Sequence, residues 1–371
     1  VIDTTTEQME PEGLDDTQAE GWGDYPLDSV FVRNETRTVS EVVKRIKMGR
    51  YQLDPDFQRD FVWPIDKQSR LIESCLMRIP LPVLYVAEDK SGKIAVVDGL
   101  QRLTTFSRYL DDGFALSLPS GDEEDYPHAL DGLRFSELPI NLQERIEDTQ
   151  LIVYILDANA PERAKLDIFE RVNSGVPLTR QQMRNCLFNG RATKWLKAAA
   201  TSEQFILATG RSLDAKSMRD REAINRFCAF YILGESKYRG DMDAFLAQAL
   251  EKMQESSIDL DNLFEKFTHS MKINRALFGA HAFRKSLSPF VHGDKSVNRS
   301  VINIALFDVY SVLFSRVDED FVNRNATELR EQVSSLLSED DFVNAITYST
   351  NSKRQVRTRF SMAREALEDL S

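Results

Sequence analysis

Two short segments of this chain end in Gln-Arg: Pro55-Asp56-Phe57-Gln58-Arg59 and Asp98-Gly99-Leu100-Gln101-Arg102. An arginine presents five donors in a planar fork that matches phosphate oxygens, and the glutamine beside it can both donate and accept. Gly99 permits a tight turn and close backbone approach. Asp98 could hold a metal ion, orient the arginine or position a water, and residue type leaves those roles open. The competing reading is structural: Asp98 caps the following helix and pairs with Arg102. In the first segment Phe57, Phe61 and Trp63 interleave with Gln58 and Arg59. An aromatic next to an arginine suits a nucleobase stacking site, whereas a core aromatic cluster is the alternative and suits Trp63 taken alone.

A third cluster, Phe169-Glu170-Arg171-Val172-Asn173-Ser174-Gly175, precedes Pro177-Leu178-Thr179 and Gln181. Gly175 can end one helix and Thr179 can cap the next. The functional reading is an Arg171 and Asn173 pair that completes a phosphate or metal site from the far side. Near the C-terminus, Lys353, Arg354, Arg357 and Arg359 form a basic run that could contact a nucleic-acid backbone or an acidic partner, or could simply be a solvated helix face.

The elements that must hold these residues follow from periodicity. Thr38 and Glu41 form a capping-box pattern at the start of a helix running to about Met48. Pro64 suits the first turn of a second helix, through Leu71, Ile72, Cys75 and Leu76 to Arg78. Val83 to Ala87 and Lys93 to Val97 flank Asp89-Lys90-Ser91-Gly92 and read as a β-hairpin, so the Asp98-Gly99 corner lies between a strand and an amphipathic helix from Leu103 to Leu110. Such a corner is where backbone N–H groups and an arginine can converge on an anion. Strands are also expected at Phe114 to Leu118 and Leu151 to Leu156, with a short helix over Leu142 to Glu147. Beyond Pro161 the pattern is helical almost throughout: Ala164 to Val172, Gln181 to Phe188, Arg221 to Leu233, Met242 to Met253 and Asn303 to Phe314. The reading is an α+β protein, with an acidic flexible tail over 1–28, a mixed α/β domain over 29–175 and an all-α domain over 176–371.

Composition bounds the partners. The chain has 371 residues, is 42% apolar and carries a formal charge of −12, which argues against indiscriminate nucleic-acid binding. The charge is uneven: residues 1–30 carry acidic side chains and no basic ones, whereas residues 161–240 hold fifteen Lys and Arg against eight Asp and Glu. Cys75, Cys186 and Cys228 are scattered in apolar helical patterns and read as reduced core residues of a cytoplasmic protein. Val301 to Phe314 is too short to span a bilayer and is interrupted by Asn303 and Asp308, so no membrane association is expected, nor is a secretory signal. The four histidines, His128, His269, His281 and His292, form no His-Asn-His nuclease pattern and no zinc spacing with the cysteines. A Gly-rich Lys-Ser/Thr phosphate loop and a Gly-x-Ser-x-Gly elbow are also missing, which disfavours ordinary NTPase and hydrolase families.

Taken together, L-D-P-D-F-Q-R-D-F-V-W, L-I-E-S, I-P-L-P, V-V-D-G-L-Q-R-L and F-E-R-V-N-S-G-V-P-L-T resemble the N-terminal domain of GmrSD-type restriction endonucleases over roughly residues 35–190. That family is similar to the ParB/sulfiredoxin fold, and its hallmark is an Asp-Gly-Gln-Gln-Arg motif associated with nucleotide binding and hydrolysis in systems that recognise modified phage DNA. The resemblance implies one pocket holding Gln58, Arg59, Asp98, Gly99, Gln101 and Arg102, with Trp63, Arg171 and Asn173 at its edge. It implies a nucleoside triphosphate as substrate or ligand, Mg²⁺ on Asp98, possible modified-DNA recognition, a separately encoded nuclease or effector as partner, and a possible homo-oligomer. In that scheme Arg59 and Arg102 bind phosphates, while Gln58 and Gln101 orient water or a phosphate oxygen. The chain departs from the motif at Leu100, where the family's first glutamine would stand. Two rivals remain: a non-enzymatic DNA-binding or scaffolding module of ParB-like shape, and a stand-alone DNA nuclease.

Overall fold

The computed structural model describes residues 11–13, 32–53, 63–89, 91–118, 129–160, 162–172, 179–294 and 296–368. The chain divides into one unit over Gly23–Asn189 and a second over Gly190–Ser371 together with Val1–Trp22.

The first unit is built on a five-stranded mixed sheet of β1 (Val32–Thr38), β2 (Tyr51–Gln52), β3 (Leu84–Glu88), β4 (Ile94–Asp98) and β5 (Gln150–Leu156), in the order β1-β5-β3-β4-β2. β1 pairs antiparallel with β5, and β3 antiparallel with β4. The β5–β3 and β4–β2 pairs are parallel. Side chains alternate across such a sheet, and the alternation decides what covers each face. Leu84, Val86, Ile94, Val96, Val153 and Ile155 share one core with residues of α1 (Val39–Lys47), α2 (Ile65–Leu76), α3 (Leu100–Leu110) and α4 (Ile140–Glu147). Ala87, Val97 and Leu156 share another with Leu166 and Phe169 of α5 (Glu162–Val172) and Met183 and Cys186 of α6 (Arg180–Leu187). Each fully buried Leu, Ile, Val or Phe contributes roughly 1.5–3 kcal/mol relative to exposure, so both faces of the sheet are needed to hold it.

Several sequence expectations meet the structure here. The 83–97 hairpin forms, with the Asp89 N–H donating to the Lys93 carbonyl at 2.9 Å. Thr38 caps α1 by accepting from the Glu41 N–H at 3.2 Å, but the Glu41 carboxylate bonds Arg37 and Arg45 instead of closing the capping box. Phe114–Leu118 is not a strand: its backbone bonds go to the Leu133 carbonyl and the Asp131 side chain rather than to a ladder. β1 lies ahead of the first helix, in a segment whose polar residues gave no apolar alternation. The expected domain edge at 175–176 precedes α6, which packs on this sheet through Met183 and Cys186.

The second unit is helical: α7 (Arg191–Ala200), α8 (Glu203–Thr209), α9 (Arg219–Ile232), α10 (Met242–Gln254), α11 (Leu260–Phe278), α12 (Leu287–Val291), α13 (Ile304–Phe314), α14 (Glu319–Arg324), α15 (Ala326–Leu336), α16 (Asp340–Thr347) and α17 (Lys353–Glu368). Every residue of α13 is buried. Its one charged residue, Asp308, accepts from Arg226 Nε and Nη2 of α9 at 2.8 and 2.6 Å and from Arg359 Nη2 of α17 at 2.8 Å. Part of the expected flexible tail is docked on this unit. Glu12 exchanges backbone bonds with Ile302 and Ile304, and Lys285 donates to its carboxylate. All three cysteines are free and buried, and burial pushes the Cys75 thiol up to about 11. No helix among the described residues is long and apolar enough to cross a membrane.

Candidate functional site

The corner between β4 and α3 is set by a glycine. Gly99 has φ +99° and is the residue preceding α3. A Cβ built on it would stand 2.1 Å from Leu84 Cδ2 and 3.2 Å from Arg102 Nη2, so both the backbone angle and the space exclude other side chains. With no side chain at this position, Gly99 gives the first-turn N–H groups of α3 no cap. An uncapped helix start next to a tight turn attracts anions.

Arg102, one turn along α3, is only 8% exposed. Its Nη2 donates to Asp98 Oδ2 at 2.7 Å and to the Val83 carbonyl at 3.0 Å, and its Nη1 donates to the Pro82 carbonyl. Burial draws the guanidinium below the ordinary arginine range, partly offset by Asp98. Arg102 is thus a clamp that fixes Asp98 and the chain entering β3. Asp98 does not cap α3, since that position belongs to Gly99. Its side chain is 37% exposed, and among the described residues Oδ1 has no hydrogen-bond partner. A register shift between Tyr85 and Val86 places Asp98 opposite Tyr85. A bulge of this kind re-aims the side chain that follows it. Leu100, the departure from the motif, packs against the core below α3.

Trp63 is bonded to this corner. Its N–H donates to Gln101 Oε1 at 3.4 Å, and its carbonyl accepts from Gln68 Nε2 at 2.8 Å. The indole is part-buried against the core, with the Lys67 ammonium 4.7 Å from its ring centroid. Gln68 is itself buried and accepts from Arg108 Nη1 at 3.1 Å. It escaped the sequence reading, although a glutamine one turn before Leu71 and Ile72 on an otherwise apolar helix face was a usable signal. Tyr85 and Tyr154 were missed as well. On the neighbouring parallel strands β3 and β5 they stack with ring centroids 5.5 Å apart, beside Asp98.

Gln58, Arg59 and Asn173 lie outside the described residues. Arg171 is exposed near the end of α5. For metal binding, no group of three or more His, Cys, Asp or Glu side chains gathers among the described residues. Asp98 therefore offers one carboxylate oxygen, which fits Mg²⁺ bound through a single carboxylate with substrate phosphates and water. In the basic run the structure corrects one residue: Arg359 is fully buried, held by Asp308 and the Thr350 carbonyl, and cannot face nucleic acid. Lys353, Arg354 and Arg357 are exposed on α17.

Residues 39–189 match the family model described as GmrSD restriction endonuclease, N-terminal domain, a match that points to a restriction-type defence system. No curated protein and no solved structure matches the chain.

Proposed function

We propose, with residues 39–189 taken as a GmrSD-type N-terminal domain, that this chain is a nucleotide-binding protein of a restriction-type system and that the β4–α3 corner takes the phosphates of a nucleoside triphosphate. The observation that carries the reading is the pairing of two features at one turn: the uncapped first turn of α3 behind a positive-φ glycine, and an Asp98 carboxylate with one oxygen clamped and the other without a partner among the described residues. The first-turn N–H groups contact phosphate oxygens, with Arg59 and Gln58 supplied from the neighbouring segment. Arg102 acts through Asp98 and is a positioning residue in this scheme. Gln101, tethered to Trp63, orients the attacking water or a phosphate oxygen. Asp98 Oδ1 would hold Mg²⁺, which when bound neutralises charge on the phosphates. In hydrolysis, water attacks the terminal phosphorus, the bridging P–O bond breaks, and the products are the diphosphate and inorganic phosphate.

Sensing modified DNA and gating a separately encoded nuclease is the cellular role this reading implies. The test is phosphate release over a panel of NTPs and dNTPs, with and without modified and unmodified DNA. Release above background from at least one nucleotide, changed by modified DNA, is expected. Absence of release together with salt-sensitive DNA binding would replace this reading with the non-enzymatic DNA-binding module, which the exposed Lys353, Arg354 and Arg357 favour.

A further inference from the structure

We propose that the second unit carries its own anion site, for a phosphate group, at the turn following α8, where exposed Arg299 and buried Arg284 converge on Thr209–Ser212 and neither pairs with a carboxylate among the described residues. Arg284 is 1% exposed. Its Nη2 donates to the Thr209 carbonyl at 2.9 Å and to Ser212 Oγ at 2.7 Å, and its Nη1 donates to the Ser300 carbonyl. The Nε is buried with no acceptor. All three partners are neutral. A buried guanidinium ordinarily has a counter-charge because leaving it unpaired is costly, and the same unit supplies one elsewhere, where Arg226 and Arg359 share Asp308. Asp214, the carboxylate nearest this turn in sequence, bonds Ser217 instead.

A second cation stands over this one. Arg299 is exposed and makes no hydrogen bond or ion pair with the described residues. Its guanidinium lies against Gly210, where a Cβ would stand 2.4 Å from Nη1. The two arginines are close enough that Arg299 adds to the effect of burial in drawing the Arg284 pKa down to about 9. Two like charges held together over neutral partners are a deficit that a bound anion would cancel. The backbone is also strained here: Arg211 has φ +57° and Phe283 φ +63°. Non-glycine residues in that region cost of order 1–3 kcal/mol and concentrate at ligand sites. The Ser212 hydroxyl, whose oxygen accepts from Arg284, has its own proton to donate to an anion, and Arg284 supplies weakly screened charge from beneath.

The chemistry selects a compact, multiply charged oxyanion, such as a phosphate monoester or a backbone phosphodiester. The test titrates the full chain with inorganic phosphate, at ionic strength matched by chloride, and follows thermal stability and binding heat. Wild type is expected to bind saturably and melt higher. Arg299→Gln, at an exposed position, is expected to bind at least about tenfold more weakly. Arg299→Gln is also expected to keep the Mg²⁺-dependent nucleotide binding assigned to the β4–α3 corner, which separates the two sites. A nucleoside monophosphate and a short DNA duplex then identify the source. Displacement of phosphate by the mononucleotide indicates a free phosphate ester, and displacement by the duplex alone indicates the DNA backbone. An equal response from wild type and Arg299→Gln, or no response to any of the three probes, overturns the proposal.

Discussion

The β4–α3 corner depends on individual atoms more than on any pattern. Gly99→Ala would place a methyl carbon where Leu84 Cδ2 lies and force a positive φ on alanine. A loss of about 2–4 kcal/mol in denaturant stability is expected. Arg102→Ala strips hydrogen bonds from Asp98 and from the Pro82 and Val83 carbonyls. It should cost about 2–4 kcal/mol, and Arg102→Lys should recover little of it, because an ammonium cannot reproduce the planar fork. Urea midpoints of the two variants check this. The sequence made Asp98, Gly99 and Arg102 legible as a unit. It did not say whether Arg102 faces a ligand or the protein, since that depends on carbonyls twenty residues earlier in the chain. Leu100 was read as a missing polar contact; in the fold it is partly buried and packs against the core.

At the scale of elements, strongly periodic helices were readable and weakly patterned edges were not. α9, α10 and α13 lie within a residue or two of their expected limits because their apolar faces are continuous. β1 escaped because an edge strand with polar residues on both faces has no alternation to detect. α9 also carries a titration signal. Asp220, in its first turn, is buried, and burial raises its carboxyl to about 6, above the ordinary value of 3.8. The folded state thus holds its proton more tightly than the unfolded chain. Stability from this group is fully present below about pH 4 and falls as pH rises towards 6. Asp220→Asn keeps an acceptor for the Arg221 N–H and removes the ionisation penalty. It should stabilise by on the order of 1–3 kcal/mol at pH 7 and by little at pH 4, as thermal melts at the two values would show.

Across the whole molecule, the division into a mixed α/β unit and a helical unit could be read from where the period changes from two to 3.6. The edge between them could not, because α6 has the period of the second unit and the packing of the first. The helical unit is pinned by Asp308, which joins α9, α13 and α17. Its position inside an apolar run was visible in sequence, but its two arginine partners are distant in the chain. Asp308→Asn leaves two buried guanidinium groups without that carboxylate, and a loss of about 3–5 kcal/mol is expected by calorimetry. The central claim, that Asp98 helps hold a nucleotide's phosphates with Mg²⁺, is tested most directly by nucleotide titration of wild type and Asp98→Asn in Mg²⁺ and again in EDTA. The account predicts that chelation weakens wild-type binding about tenfold or more while leaving Asp98→Asn nearly unchanged. An equal response to chelation in the two proteins, or no nucleotide binding by wild type, would contradict it.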